Sequence, residues 1–152
     1  MRKLLPLLFI AGATLADAPQ PPSTEETLVA TLATAKFTES KAPGMPKGLQ
    51  SAVIGIDPNT KGLTNYARTP AGAGLAAHWH SFAEYTVLLA GTGTLVIAGK
   101  EHQIVPGSYF VIPAKTVHQL TCGTGAECVL LTRRAGPTDY NFVAPGGTAG
   151  GP

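Results

Sequence analysis

Residues 78–85 read HWHSFAEY, which sets two histidines one residue apart and a glutamate four positions after the second. Side chains alternate between the faces of an extended strand, so His78 and His80 share one face and Trp79 takes the other. Two imidazoles held this way can chelate a cation. Glu84 follows the short loop SFA at the start of the next apolar run, where an antiparallel neighbour would return its carboxylate beside them. His118, in IPAKTVHQL, opens a further strand-like run after a proline-containing turn and is the remaining candidate. Taken alone, the histidine pair also suits a solvated strand face, and Glu84 suits a capping carboxylate.

The elements that must position these groups are short and numerous. QSAVIGI (50–56), LTNYART, LAAHWH, EYTVLLA, TLVIAG, KEHQIV, SYFVIPA, VHQLTC and ECVLLTR are apolar or alternating runs, separated by turns such as DPNTKG, PAGAG, GTG and PG. No long amphipathic helix interrupts them. Short strands at this spacing predict an all-β sandwich or barrel, and a small barrel can enclose one ligand site. Ahead of them, residues 17–47 are rich in Pro, Ser, Thr and Ala and read as an extended segment. Its one helical hint is a capping box of Ser23 and Glu26 before Leu28 and Leu32. The tail at 144–152 has nothing to bury and is expected to be disordered.

The glycines and prolines bring these residues into a larger pattern. From Gly72 the chain fits G(X)5HXH(X)3E(X)6G, with Gly72, His78, His80, Glu84 and Gly91 in place. From Gly107, GSYFVIPAKTVH supplies Gly107, Pro113 and His118 at the spacing of a second motif, with fifteen residues between the two. The pair resembles the two signature motifs of the cupin superfamily, in the compact single-domain form, over Gln50 to Phe142. Lys115 stands where cupins usually carry glycine, and Cys122 where they often carry asparagine. The resemblance implies a single-domain cupin-type (jelly-roll) β-barrel over 48–143, with His78, His80, Glu84 and His118 as metal ligands. The stretch GPTDYNFV after the last strand also looks like small exported cupins.

Three neutral imidazoles and a carboxylate suit one divalent first-row transition metal, Fe, Mn, Zn, Ni, Co or Cu, without choosing among them. Four protein ligands on an octahedral ion leave two adjacent positions for substrate. Glu84, released from the ion, could act as a general base and is the candidate catalytic residue. Tyr66 and Arg68 share a face on the strand before the first motif, and one of them is the candidate to orient an anionic substrate. Either Phe110 and Ile112 or Tyr109 and Val111 line the cavity, while Trp79 and Phe82 read as packing residues. His102 reads as a solvated strand-edge residue without a role.

Composition limits the partners. The first residues, MRKLLPLLFIAGATLA, have a basic tip, an apolar stretch from Leu4 to Leu15, and small residues at Thr14 and Ala16. They read as a secretory signal cleaved after Ala16, because spanning a bilayer takes about 18 continuous apolar residues and Pro6 breaks this run. Removing Arg2 and Lys3 takes eleven basic residues to nine, against nine acidic ones. A neutral mature chain without a Lys/Arg stripe argues against nucleic-acid or membrane partners and leaves a small-molecule substrate or ligand, with a homodimer also compatible.

Export, periplasmic or extracellular, favours a disulfide between Cys122 and Cys128 across the turn GTGA, contributing roughly 2 kcal/mol. Three functions remain open. The leading one is a metal-dependent dioxygenase or other oxidoreductase acting on a small oxygen-rich molecule, with isomerase or decarboxylase chemistry close behind. The others are a non-catalytic metal- or ligand-binding barrel and a barrel that the metal only staples.

Overall fold

The computed structural model describes residues 29–144, and these form strands, turns and loops with no α-helix. The signal segment, the Ser23–Glu26 capping box and the tail from 145 onward lie outside the described residues. Eleven strands follow in chain order: β1 (Thr38–Glu39), β2 (Gln50–Ile56), β3 (Leu63–Thr69), β4 (Gly74–Trp79), β5 (Glu84–Ala90), β6 (Gly93–Ile97), β7 (Lys100–Ile104), β8 (Tyr109–Ile112), β9 (His118–Cys122), β10 (Cys128–Arg134) and β11 (Asn141–Phe142). Nine were legible as apolar runs. The two-residue strands β1 and β11 were not, because a strand that short has no period to read.

The strands form two antiparallel sheets in the orders β1-β2-β3-β10-β5-β8 and β11-β4-β9-β6-β7. The fold is therefore the expected jelly roll, but its sheets face each other as a sandwich and do not close into a hydrogen-bonded barrel. Two local expectations change with this. β4 and β5 are not ladder neighbours: the SFA loop carries the chain from one sheet to the other, and Glu84 faces the histidines across the sandwich. β9 and β10 likewise belong to different sheets, so the Cys122–Cys128 disulfide, with Cα atoms 5.8 Å apart, ties the two sheets together instead of closing a hairpin.

Alternation along the strands sorts side chains into a core and a site. Leu88, Leu95, Ile104, Ile112 and Leu130 pack with the disulfide cysteines into one buried apolar cluster. Burying side chains of this size stabilises by roughly 1.5–3 kcal/mol each. The cysteines lie at the end of β9 and the start of β10, while His118 and Arg134 lie at the opposite ends of the same strands. A rise of about 3.3 Å per residue separates an apolar, disulfide-closed end of the sandwich from a polar one.

The motif glycines place the turns that feed the site. Gly91 has φ +79°, and a Cβ there would meet the Glu127 carbonyl and sit 3.0 Å from Cys128 Cα, so both conformation and space demand glycine. Lys115 has φ +61°, a left-handed conformation that costs an L-residue roughly 1–2 kcal/mol. The turn therefore keeps the backbone shape that glycine supplies in the motif, and Lys115 N donates to His80 O at 2.7 Å, fastening the turn before β9 to the end of β4.

Candidate metal centre

His78 and His118 stand opposite each other in the β4–β9 ladder, and His80 follows one residue after β4 ends. All three side chains are buried, His78 to 2 % exposure. One nitrogen from each ring lies within 4.8 Å of the others. The opposite nitrogen of each ring is already committed to a carbonyl: His78 Nδ1 to Ala76 O at 2.7 Å, His118 Nδ1 to Thr116 O at 2.9 Å, and His80 Nδ1 to Asp139 O. A carbonyl accepts, so each Nδ1 carries the hydrogen and each Nε2 keeps a lone pair for the centre, the tautomer a metal requires.

Electrostatics agree with ligation by neutral rings. Burial, reinforced by the neighbouring His118, pushes the His78 imidazole down to about 3. Burial also lowers His118. His80 Nε2 lies 3.2 Å from Glu84 Oε2 but off the hydrogen-bond direction, and so has no hydrogen-bond partner. A buried, unsatisfied nitrogen aimed at two other imidazoles is what a divalent transition metal would satisfy. The three histidines therefore fit such an ion.

Glu84 reaches this centre from the other sheet. Its Oε2 is 2.7 Å from Arg134 Nη1, and its Oε1 accepts a 2.8 Å hydrogen bond from Thr86, whose hydroxyl also meets Thr132 at 3.0 Å. Burial alone would raise the carboxyl, but His80, when its ring carries a hydrogen toward Oε2, and the Arg134 guanidinium outweigh it and hold Glu84 down to about 2. It is an anion shared between the imidazole cluster and a guanidinium.

Arg134 escaped the sequence reading, as did Asp139 and Tyr140. Arg134 was findable, since Leu130, Thr132 and Arg134 alternate onto the inward face of β10. Asp139 and Tyr140 follow an irregular turn that carries no periodic signal. The Asp139 carboxylate accepts from Ser81 N and Ser81 Oγ at 2.9 and 2.6 Å, which positions its carbonyl on His80. The Tyr140 ring lies 4.9 Å from His80 and its hydroxyl is 3.4 Å from Arg134 Nη2.

Tyr66 and Arg68 are a correction: neither lines the cavity. On β3 the inward positions are Asn65, Ala67 and Thr69, and alternation sends Tyr66 and Arg68 outward. There Tyr66 OH donates to Ala30 O at 3.3 Å and the Arg68 guanidinium stacks 4.0 Å over Phe37, pinning the N-terminal segment to the sheet. On β8, Phe110 and Ile112 face the cavity, while Tyr109 is 62 % exposed and Val111 is also outward. His102 is exposed on the edge strand β7.

A family model for the cupin domain matches residues 65–132, the stretch that carries the three histidines, Glu84 and both motifs. Residues 65–132 therefore form a cupin domain. No curated protein matches this cupin in sequence. Among solved structures it is similar to the polyketide cyclase RemF from Streptomyces resistomycificus, at TM-score 0.65 and 18 % identity over 79 % of this chain and 87 % of that one. It is similar to KdgF from Halomonas sp. at TM-score 0.59 and 16 % identity, over 75 % and 96 % of the two chains. A salicylate 1,2-dioxygenase from Pseudaminobacter salicylatoxidans gives TM-score 0.52 and 18 % identity, over 64 % of this cupin and 28 % of the larger enzyme. At these identities the likeness is one of fold.

Proposed function

We propose that this cupin is an exported metalloenzyme of the dioxygenase or wider oxidoreductase type, acting on a small oxygen-rich molecule in the periplasm or outside the cell. The observation that carries the reading is the convergence of three buried imidazoles, each with Nδ1 tied to a carbonyl, beside a cavity of about 80 Å³. His78, His80 and His118 hold the ion, with Glu84 in reach as a fourth ligand. A bound transition metal would supply Lewis-acid or redox chemistry. The protein's own contribution is to exclude bulk water, fix the imidazole tautomers and hold an anionic carboxylate next to the reacting group. The dioxygenase among the fold's relatives supports redox chemistry as the first choice.

A non-redox isomerase or decarboxylase is the second reading, favoured by the placement of Glu84. Glu84 borders the cavity as an anion, anchored at Oε1 by Thr86 and paired at Oε2 with Arg134, and Oε2 becomes a proton acceptor when that pair opens. Metal analysis of the protein from its native compartment, followed by oxygen-uptake assays on small hydroxylated and aromatic acids, tests both. Stoichiometric metal that is lost in His80→Ala is expected. Oxygen uptake that follows metal content selects the first reading, turnover without oxygen the second, and a wild-type protein that neither contains nor takes up metal overturns both.

A further inference from the structure

The metal reading leaves Arg134 unexplained. Among the described residues it is the one Lys or Arg lining the cavity, it is 5 % exposed, and its Nε and Nη1 lack a directed hydrogen-bond partner. Among the described residues Glu84 is its only ion-pair partner, through Oε2. That same oxygen faces His80 Nε2 at 3.2 Å. One carboxylate oxygen thus answers two demands, from the guanidinium and from the position the three imidazoles surround. If Glu84 is drawn onto an ion there, its charge is largely neutralised by that ion and Arg134 is left as a buried, uncompensated cation. Such a charge is costly enough to recruit another anion. Arg134 borders the cavity, whose other walls include Leu75, Leu95 and Leu120. A guanidinium presents a planar fork that matches a carboxylate.

We propose that Arg134 is the receptor for the carboxylate of a small organic acid, and that metal binding creates this receptor by withdrawing Glu84 from it. The inference rests on the metal-centre reading and adds to it a substrate class, small monocarboxylic acids with a compact body. It also requires that metal and carboxylate bind with positive linkage, each raising the affinity of the other by the same factor.

Titration of the metal-free full chain with Co²⁺, in sodium acetate and in sodium chloride at equal ionic strength, measures the linkage directly. Co²⁺ is expected to bind wild type about tenfold more tightly in acetate, within the usual range of coupling between sites. In Arg134→Met the ratio should fall to near one, and in Arg134→Lys, which keeps the charge without the fork, it should be intermediate. Glu84→Gln should bind acetate in the absence of metal as tightly as Co²⁺-loaded wild type does. If Arg134→Met fails to fold because Glu84 is stranded, the double variant Arg134→Met/Glu84→Gln removes both charges and should bind no acetate.

Equal Co²⁺ affinity in the two salts for wild type would overturn the proposal. An undiminished acetate effect in Arg134→Met would also overturn it, by placing acetate on the ion itself. Absence of Co²⁺ binding to wild type would instead overturn the metal-centre reading and the linkage with it. The receptor role would then be refuted if the metal-free Glu84→Gln protein also failed to bind acetate.

Discussion

At the scale of single residues, the site is defined by which nitrogen of each imidazole is already occupied. Two of the three Nδ1 partners are carbonyls two positions back on the same segment, Ala76 and Thr116, so local backbone geometry alone orients His78 and His118. The cost of holding these rings neutral and buried appears as a pH dependence. The folded state keeps His78 unprotonated down to about 3, whereas the unfolded chain takes up a proton near 6.5. Between those values the unfolded state binds more protons, so stability rises with pH across that window and is lost as pH falls through it. His118 is shifted in the same direction, and Glu84, held down to about 2, adds a further loss below its ordinary 4.5. The urea midpoint of the chelator-treated protein is therefore expected to fall from about pH 6.5 toward about pH 3. The loss assigned to His78 is on the order of 4 kcal/mol. His78→Gln should flatten the upper part of the profile, and a flat wild-type profile would refute the neutral, buried state.

At the scale of elements, loops that cross between sheets do what ladder neighbours were expected to do. The SFA loop delivers Glu84 to the opposite sheet, and the turn at Lys115 clips onto His80 O, so two motif segments distant in sequence share one end of the sandwich. The two motif glycines that open onto β6 and β8 differ in kind, which can be measured. Gly91 has both positive φ and backbone atoms where a Cβ would go, whereas Gly107 has φ +90° and nothing within 4 Å. Gly107→Ala should therefore cost roughly 1–2 kcal/mol, the conformational penalty alone. Gly91→Ala should cost clearly more, because Glu127 and Cys128 must move and Cys128 is held by the disulfide. Equal losses in urea unfolding would show that the backbone contact at Gly91 relaxes freely.

At the scale of the whole molecule, the sandwich has one end closed by apolar packing and the Cys122–Cys128 bridge and another that carries the imidazoles, Glu84 and Arg134. The bridge joins the two sheets, so its benefit reaches the relative placement of the triad and Glu84, which come from different sheets. Such a bridge suits an oxidising compartment, in line with the proposed export. Intact mass of the exported protein is expected to correspond to a chain beginning at Asp17 with both cysteines oxidised, and to rise by two hydrogens on reduction. A mass that retains Met1 to Ala16 would refute signal cleavage, and free thiols on both cysteines of the folded protein would refute the bridge.

The nine longer strands, the motif turns and the three histidines were legible in the sequence, because alternation and glycine or proline punctuation are local properties of the chain. The same alternation would have pointed Arg134 inward once β10 was placed, yet it could not say which of two β-runs is a ladder neighbour and which lies across the sandwich. Strand pairing depends on contacts between residues far apart in sequence. For that reason the sequence assigned Glu84 and the disulfide to hairpins, and only the tertiary structure separated them into facing sheets. It also decided which face of β3 is inside, turning Tyr66 and Arg68 outward onto the N-terminal segment. Pairing Glu84 with Arg134 was likewise a tertiary outcome, because that contact joins two adjacent strands, β5 and β10, separated by most of the domain, and no local pattern in the chain records it.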